Sequence, residues 1–208
     1  MLQRVSFPVA GTEIEGVLHL PDGETLGGVA MLGGRIQTIE SGAEICAAIA
    51  AAGVAALRFA HRGDDGLGRL ADAAAAIRLL RSHPGIPQRI GVVGNSYGGA
   101  IAALAAGRDS RIRSAVLIVP PAERDYFGGI KPIAELSRTR AKVLIVSATA
   151  DEAVAPADSE RYAAVLRQGG GVCRVVRIEG ADHQFTQPDH RAAMLAAVTG
   201  WLRETLAG

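Results

Sequence analysis

A chain of 208 residues, 49% apolar and 21% charged, is long enough to bury a core in a single domain spanning residues 1–208, and its composition excludes a disordered protein. Lys and Arg total 22 against 21 Asp and Glu, so there is no basic excess to hold a polyanion, and no nucleic-acid partner is expected. The opening MLQRVSFPVAGTEIEG has no continuous apolar core after Arg4, and no run reaches the roughly 18 uninterrupted apolar residues of a membrane span, so the expectation is a cytoplasmic protein without a membrane partner.

In chain order, SFPVAGTEIEGVLHLPDG alternates polar and apolar residues around a Gly-Thr turn and predicts an antiparallel hairpin at a sheet edge. From there short runs of Val, Ile and Leu alternate with longer alanine-rich stretches. VAMLGG (29–34) is followed by EICAAIAAAG, VAALRFA (54–60) by RLADAAAAIRLLRSH, and RIGVVGNS (89–96) by AIAALAAG. IRSAVLIVPP (112–121), AKVLIVSATAD (141–151) with SERYAAVLRQGG, and VCRVVRIEGADH (172–183) with the closing helical stretch complete the series. Strands apolar on both faces, separated by helices, predict an α/β protein with a mostly parallel sheet of about eight strands and helices on both faces. The alanine clusters read as helix faces that sit close on the sheet.

Two cysteines, Cys46 and Cys173, are read as structural thiols. With no CxxC or HxxxH pattern, no metal site is expected, and nothing calls for an organic cofactor.

Gly94-Asn95-Ser96-Tyr97-Gly98 fits G-x-S-x-G between a strand and a helix. A sharp strand-to-helix turn forces its central residue into a strained backbone and crowds the flanking positions, where a β-carbon would clash. It also lifts the Ser96 hydroxyl clear of the sheet and leaves the Tyr97 amide at the positive end of a helix, where it can stabilise an oxyanion. The alternative is a tight packing turn with Ser96 capping the helix.

A serine nucleophile needs a base, and the base needs a carboxylate. Of five histidines, His19, His83 and His190 read as surface or capping residues. His61 stands at the correct end of its strand but before the serine, whereas His183, in the loop after the last strand, is placed where open α/β sheets bind ligands. Asp151 ends the preceding strand, which gives the order Ser96, Asp151, His183. Asp151 could instead cap the helix near Pro156, with Glu152 or Asp158 supplying the carboxylate; Asp182 reads as a loop-fixing group.

These pieces, with LGGR after the third strand and LRFAHRGDD after the fourth, make the chain resemble the α/β-hydrolase superfamily, nearest to its small lidless esterase and dienelactone-hydrolase-like branches. The resemblance implies a serine hydrolase acting on small or medium carboxylic esters through an acyl-enzyme, with a second oxyanion amide from Gly34 or Arg35. Dienelactone hydrolases carry cysteine at the nucleophile position. Ser96 stands there instead and favours ordinary ester chemistry. Leu32 replaces the histidine that the family often places before the oxyanion loop. The stretch between Pro121 and Ala141 is too short for a cap domain, so an open site is expected. Tyr126, Phe127 and Ile130 either line one wall of it or cover core, and Arg35 either attracts an acidic acyl group or pairs with Asp64 or Asp65. Acyl transfer, perhydrolysis or peptide cleavage on the same residues, and a non-catalytic binding protein of this fold, remain as other readings. Oligomeric state is not legible.

Overall fold

The computed structural model describes residues 1–35, 38–63, 65–122 and 127–208. The opening alternation forms β1 (Leu2–Val9) and β2 (Thr12–His19), paired antiparallel. Their turn falls on Ala10 and Gly11, one residue earlier than the sequence suggested, and both have positive φ, 49° and 81°. That is what a two-residue hairpin turn asks for if it is to follow the right-handed twist of its strands. Of these two strands only β1 is at a sheet edge, because β2 pairs on its other side with β4 (Ala55–Phe59).

The remaining strands are β3 (Gly28–Leu32), β5 (Ile90–Asn95), β6 (Ile112–Ile118), β7 (Lys142–Ala148) and β8 (Cys173–Ile178), parallel to one another and to β4. The sheet order is β1-β2-β4-β3-β5-β6-β7-β8. Side chains alternate across it. Leu32, Val92, Leu117 and Ile145 face one core with α2 (Gly66–Ser82), α3 (Tyr97–Arg108) and α5 (Pro156–Gln168). Met31, Val93, Val116 and Val146 face a second core with α1 (Ala43–Ala51) and α6 (Pro188–Leu206). Two buried faces explain why the strands read as unbroken apolar runs. Each fully buried Leu or Ile among them contributes roughly 1.5–3 kcal/mol. This is the α/β-hydrolase architecture, and among the described residues there is no cap domain; between β6 and β7 the described helix is the five-residue α4 (Pro132–Leu136).

From β3 the chain passes through α1 to β4, then returns through α2 and crosses β3 to reach β5. The direction of winding therefore reverses between β3 and β5, and such a switch opens a crevice beyond the carboxyl ends of the two strands. Among the described residues no helix is long and apolar enough to cross a membrane. Cys46 is buried, its thiol pushed up to about 12 by desolvation, and Cys173 is half-buried and likewise raised by burial; both are unpaired.

Candidate active site

At the crevice β5 turns into α3 through one residue. Ser96 has φ 54° and ψ −121°, outside the ordinary regions for a residue with a β-carbon. Such a conformation costs about 1–3 kcal/mol and persists only where its surroundings enforce it. Here the Ser96 amide donates to Ile118 O at 2.8 Å, and Ser96 O accepts from the Gly99 amide at 2.8 Å. A β-carbon on Gly94 would lie 2.1 Å from Gly98 O, and one on Gly98 would lie 2.0 Å from Leu32 O. Both are collisions with backbone, so the two glycines are what allow three turns of chain to pack around the serine. The Ser96 side chain makes no capping bond to α3. Tyr97 opens that helix, placing its amide at the positive dipole end.

Asp151 follows β7, with its carboxylate only 1% exposed. Oδ1 accepts the amides of Ala153 and Val154, each at 2.8 Å, which leaves Oδ2 aimed at His183 Nδ1, 2.7 Å away. A carboxylate oxygen at that distance fixes the ring proton on Nδ1, so Nε2 is the acceptor for the Ser96 hydroxyl at 3.0 Å. The other carboxylates are elsewhere. Glu152 is exposed, and Asp158 accepts the Ala122 amide at 2.9 Å from inside α5, whose N-cap is Ala155.

The loop carrying His183 is held by polar contacts. Asp182 Oδ1 accepts the amides of Gln184 and Thr186, each at 3.0 Å, and Oδ2 accepts the Thr186 hydroxyl. The Thr186 hydroxyl and amide hold the Asp182 carboxyl below its ordinary value, with smaller help from the next amides. Phe185 sits at φ 50°. Arg191, on α6, donates to Phe185 O at 3.3 Å and Gln184 O at 3.2 Å and pairs with Glu44 of α1 at 2.8 Å.

Opposite lies the loop after β3. A β-carbon on Gly34 would stand 3.9 Å from Ser96 Cβ, so this loop is the other wall around the serine. Gly34, Arg35, Ser96 and His183 line a cavity of about 420 Å³, whose apolar side includes Met31, Ile45, Ile118 and Met194. The loop is pinned from behind by Arg69 of α2, 4% exposed, which donates to Gly34 O and Arg35 O, each at 2.9 Å, and to Gly63 O at 2.7 Å.

The structure therefore brings Ser96, Asp151, His183, Gly34 and Arg35 together, and places Tyr97 at the elbow. Phe127 is not in the cavity wall. Its ring is 1% exposed and stacks on Tyr97 at 5.7 Å between centroids, because an aromatic in a short connection over a helix covers core more readily than it faces solvent. Ile130 packs half-buried against the same core. Tyr126 and Asp64 lie outside the described residues. Asp65 accepts the amides of Leu67 and Gly68 as the cap of α2, and Arg35 is exposed at the cavity with no described carboxylate as partner.

His19 is corrected from surface to interior, 4% exposed, because β1 and β4 flank its strand; Nε2 accepts from Arg58 Nε at 2.9 Å. Desolvation first and the Arg58 charge second lower its pKa. His61 stacks edge-on against Phe59 with Nδ1 3.8 Å from Asp72, turned into the packing of α2. Among the described residues no group of three His, Cys, Asp or Glu is placed to hold a metal. Sequence reasoning passed over Arg69 and Arg191. A signal existed for the first, since Arg69 shares a helical face with Ala73, Ala76 and Leu80, all buried.

A family model described as the dienelactone hydrolase family matches residues 38–206. Among solved structures the chain is similar to Est1E from Butyrivibrio proteoclasticus, with TM-score 0.82, 21% identity and 99% of each chain covered. It is similar to the dienelactone hydrolase from Anabaena variabilis, with TM-score 0.82, 20% identity and 99% and 98% covered. A third likeness is to the hyperthermophilic esterase from Pyrobaculum calidifontis, with TM-score 0.82, 19% identity and 100% of this chain and 84% of that one covered. At such identities the likeness carries the fold. Among curated proteins none matches the chain.

Proposed function

Because the chain belongs to the dienelactone hydrolase family, whose activity is hydrolysis of esters, we propose that it is a serine carboxylesterase acting through an acyl-enzyme. The observation that carries this reading is the unbroken line Asp151 Oδ2, His183 Nδ1, His183 Nε2, Ser96 Oγ, at 2.7 and 3.0 Å. Ser96 Oγ attacks the ester carbonyl while His183 Nε2 takes its proton, and Asp151 stabilises the imidazolium that results. Charge gathers on the carbonyl oxygen, opposite the Tyr97 amide and an amide of the loop after β3. Collapse expels the alcohol, which leaves with the proton from His183. Water, deprotonated by the same imidazole, then attacks the acyl-serine and restores the hydroxyl.

The cavity bounds the substrate. About 420 Å³ suits an acyl group of small or medium size, and the side lined by Met31, Ile45, Ile118 and Met194 suits an apolar one. With no cap above the sheet among the described residues, the alcohol portion projects toward solvent and is loosely selected. Turnover of p-nitrophenyl esters of increasing acyl length tests this. Hydrolysis of short and medium esters is expected, with a decline at long chains, and Ser96→Ala lowers kcat by about 10⁴-fold or more, since such residues act as a unit. A folded protein that turns over none of these esters contradicts the reading.

A further inference from the structure

Two amides flank the position of the second oxyanion donor, Gly34 and Arg35, and the environment of Arg69 discriminates between them. In a trans peptide the carbonyl of one residue and the N–H of the next point in opposite directions, and this chain has no cis peptide among its described residues. The Gly34 carbonyl is held by Arg69 Nη1 at 2.9 Å, on the side of α2. The N–H of Arg35, belonging to that same peptide, is therefore directed the other way, and Arg35 borders the cavity with Ser96. It donates to no acceptor among the described residues. An amide turned toward a cavity and bonded to none of the described residues has the disposition of a donor kept for a ligand.

Arg69 also touches the first donor. Its guanidinium carbon lies 5.2 Å from the centre of the Tyr97 ring, and that ring is stacked in turn on Phe127. One buried, permanently charged plane thus spans the two residues whose amides would face the oxyanion. Its edge bonds the successive carbonyls of residues 34 and 35, and its face rests on the side chain of residue 97. A third bond, to Gly63 O, fixes the plane from the loop after β4. A planar fork holds two neighbouring carbonyls in one fixed geometry; the compact ammonium of lysine, with rotatable donors on a flexible stem, does not impose it.

We infer that Arg69 is a positioning residue of the oxyanion hole, which holds the peptide between Gly34 and Arg35 so that the Arg35 amide is its second donor. This rests on the serine-esterase reading and adds a residue that does not touch substrate. The effect of Arg69 is on the transition state. Loosening it leaves ester binding nearly intact but costs the alignment of an N–H that strengthens its bond only as the oxyanion forms.

The experiment uses the wild type, Arg69→Lys and Arg69→Met, with active sites counted by fluorophosphonate titration and p-nitrophenyl acetate as substrate. A residue that merely supports the fold lowers the number of titratable sites or the melting temperature but not the kcat of each remaining site. Positioning predicts a kcat per titrated site lowered about 10- to 100-fold with KM within about threefold, somewhat less than removing a donor outright. The inhibition constant of phenylboronic acid, which forms a tetrahedral adduct with a nucleophilic serine, should rise in the same proportion as kcat/KM falls. In the wild type, free of any substitution, the Arg35 amide resonance should shift more than that of Gly34 when the boronate binds. Equal kcat per site in Arg69→Lys, or a larger shift at Gly34, overturns the inference while an active wild type leaves the esterase reading standing. A folded wild type that neither titrates nor hydrolyses overturns both.

Discussion

The two lips of the site are held by different physics. Around Ser96 the constraint is steric: three stretches of backbone pass so close that a single β-carbon on Gly98 would enter the Leu32 carbonyl, and one on Gly94 the Gly98 carbonyl. Around His183 the constraint is polar and partly exposed, through Asp182, Thr186 and the Arg191–Glu44 pair. Ser96 has no slack, while His183 has some. That difference suits the chemistry proposed, because an imidazole that collects a proton from one oxygen and delivers it to another must shift slightly between them, whereas the attacking oxygen must not.

The comparison can be broken most severely at the elbow. Gly98→Ala puts a methyl 2.0 Å from Leu32 O and 2.6 Å from Gly33 O, both backbone atoms that cannot swing aside. The expected cost is about 3 kcal/mol or more, a large part of a small domain's stability. Thermal unfolding should show a fall of many degrees or failure to fold. A variant that melts with the wild type and stays active would mean the elbow has slack.

Loss at the other lip should be graded. Arg191→Met removes the donors to Gln184 O and Phe185 O and the partner of Glu44. With its side chain 41% exposed, solvent screens much of this, and about 1 kcal/mol or less is expected. Ester turnover should fall severalfold, through kcat, with the melting temperature little changed. A loss as large as that from removing Ser96 would show the base loop to be as rigidly determined as the elbow.

The smallest effect is one of pH. Asp182 titrates below its ordinary value because of the bonds it accepts, chiefly from Thr186. A depressed carboxylate contributes order above the unfolded carboxylate value, and that contribution is lost as pH falls through the depressed one. Hydrogen exchange at the Gln184 and Thr186 amides should thus stay protected through the range where a free aspartate takes up its proton, and lose protection only below it. In Asp182→Asn the acid-dependent step should vanish.

Much of this was legible from the chain alone, for a reason visible in particular residues. Ser96 and Asp151 each follow an apolar run that becomes a buried parallel strand, and His183 follows β8, so chain order and strand ends put the three at one rim. Gly94 and Gly98 were legible because steric demands act over a few residues. Phe127 and His19 were not, since whether an aromatic or imidazole faces solvent depends on which elements pack over it, and neighbouring sequence does not say. The choice between Gly34 and Arg35 was equally out of reach. It turns on a guanidinium from α2, the second α-helix after that loop, and an arginine in an alanine-rich helix looks like a solvated charge until its face is known.

The central claim is that Ser96 is a nucleophile made reactive by His183, and covalent labelling tests it most directly. The folded protein is incubated with a fluorophosphonate and the adduct located by peptide mass spectrometry. The account predicts one adduct, on Ser96, abolished in Ser96→Ala and slowed by orders of magnitude in His183→Ala. A folded protein that takes up no label, or one whose label on Ser96 forms equally fast without His183, contradicts it.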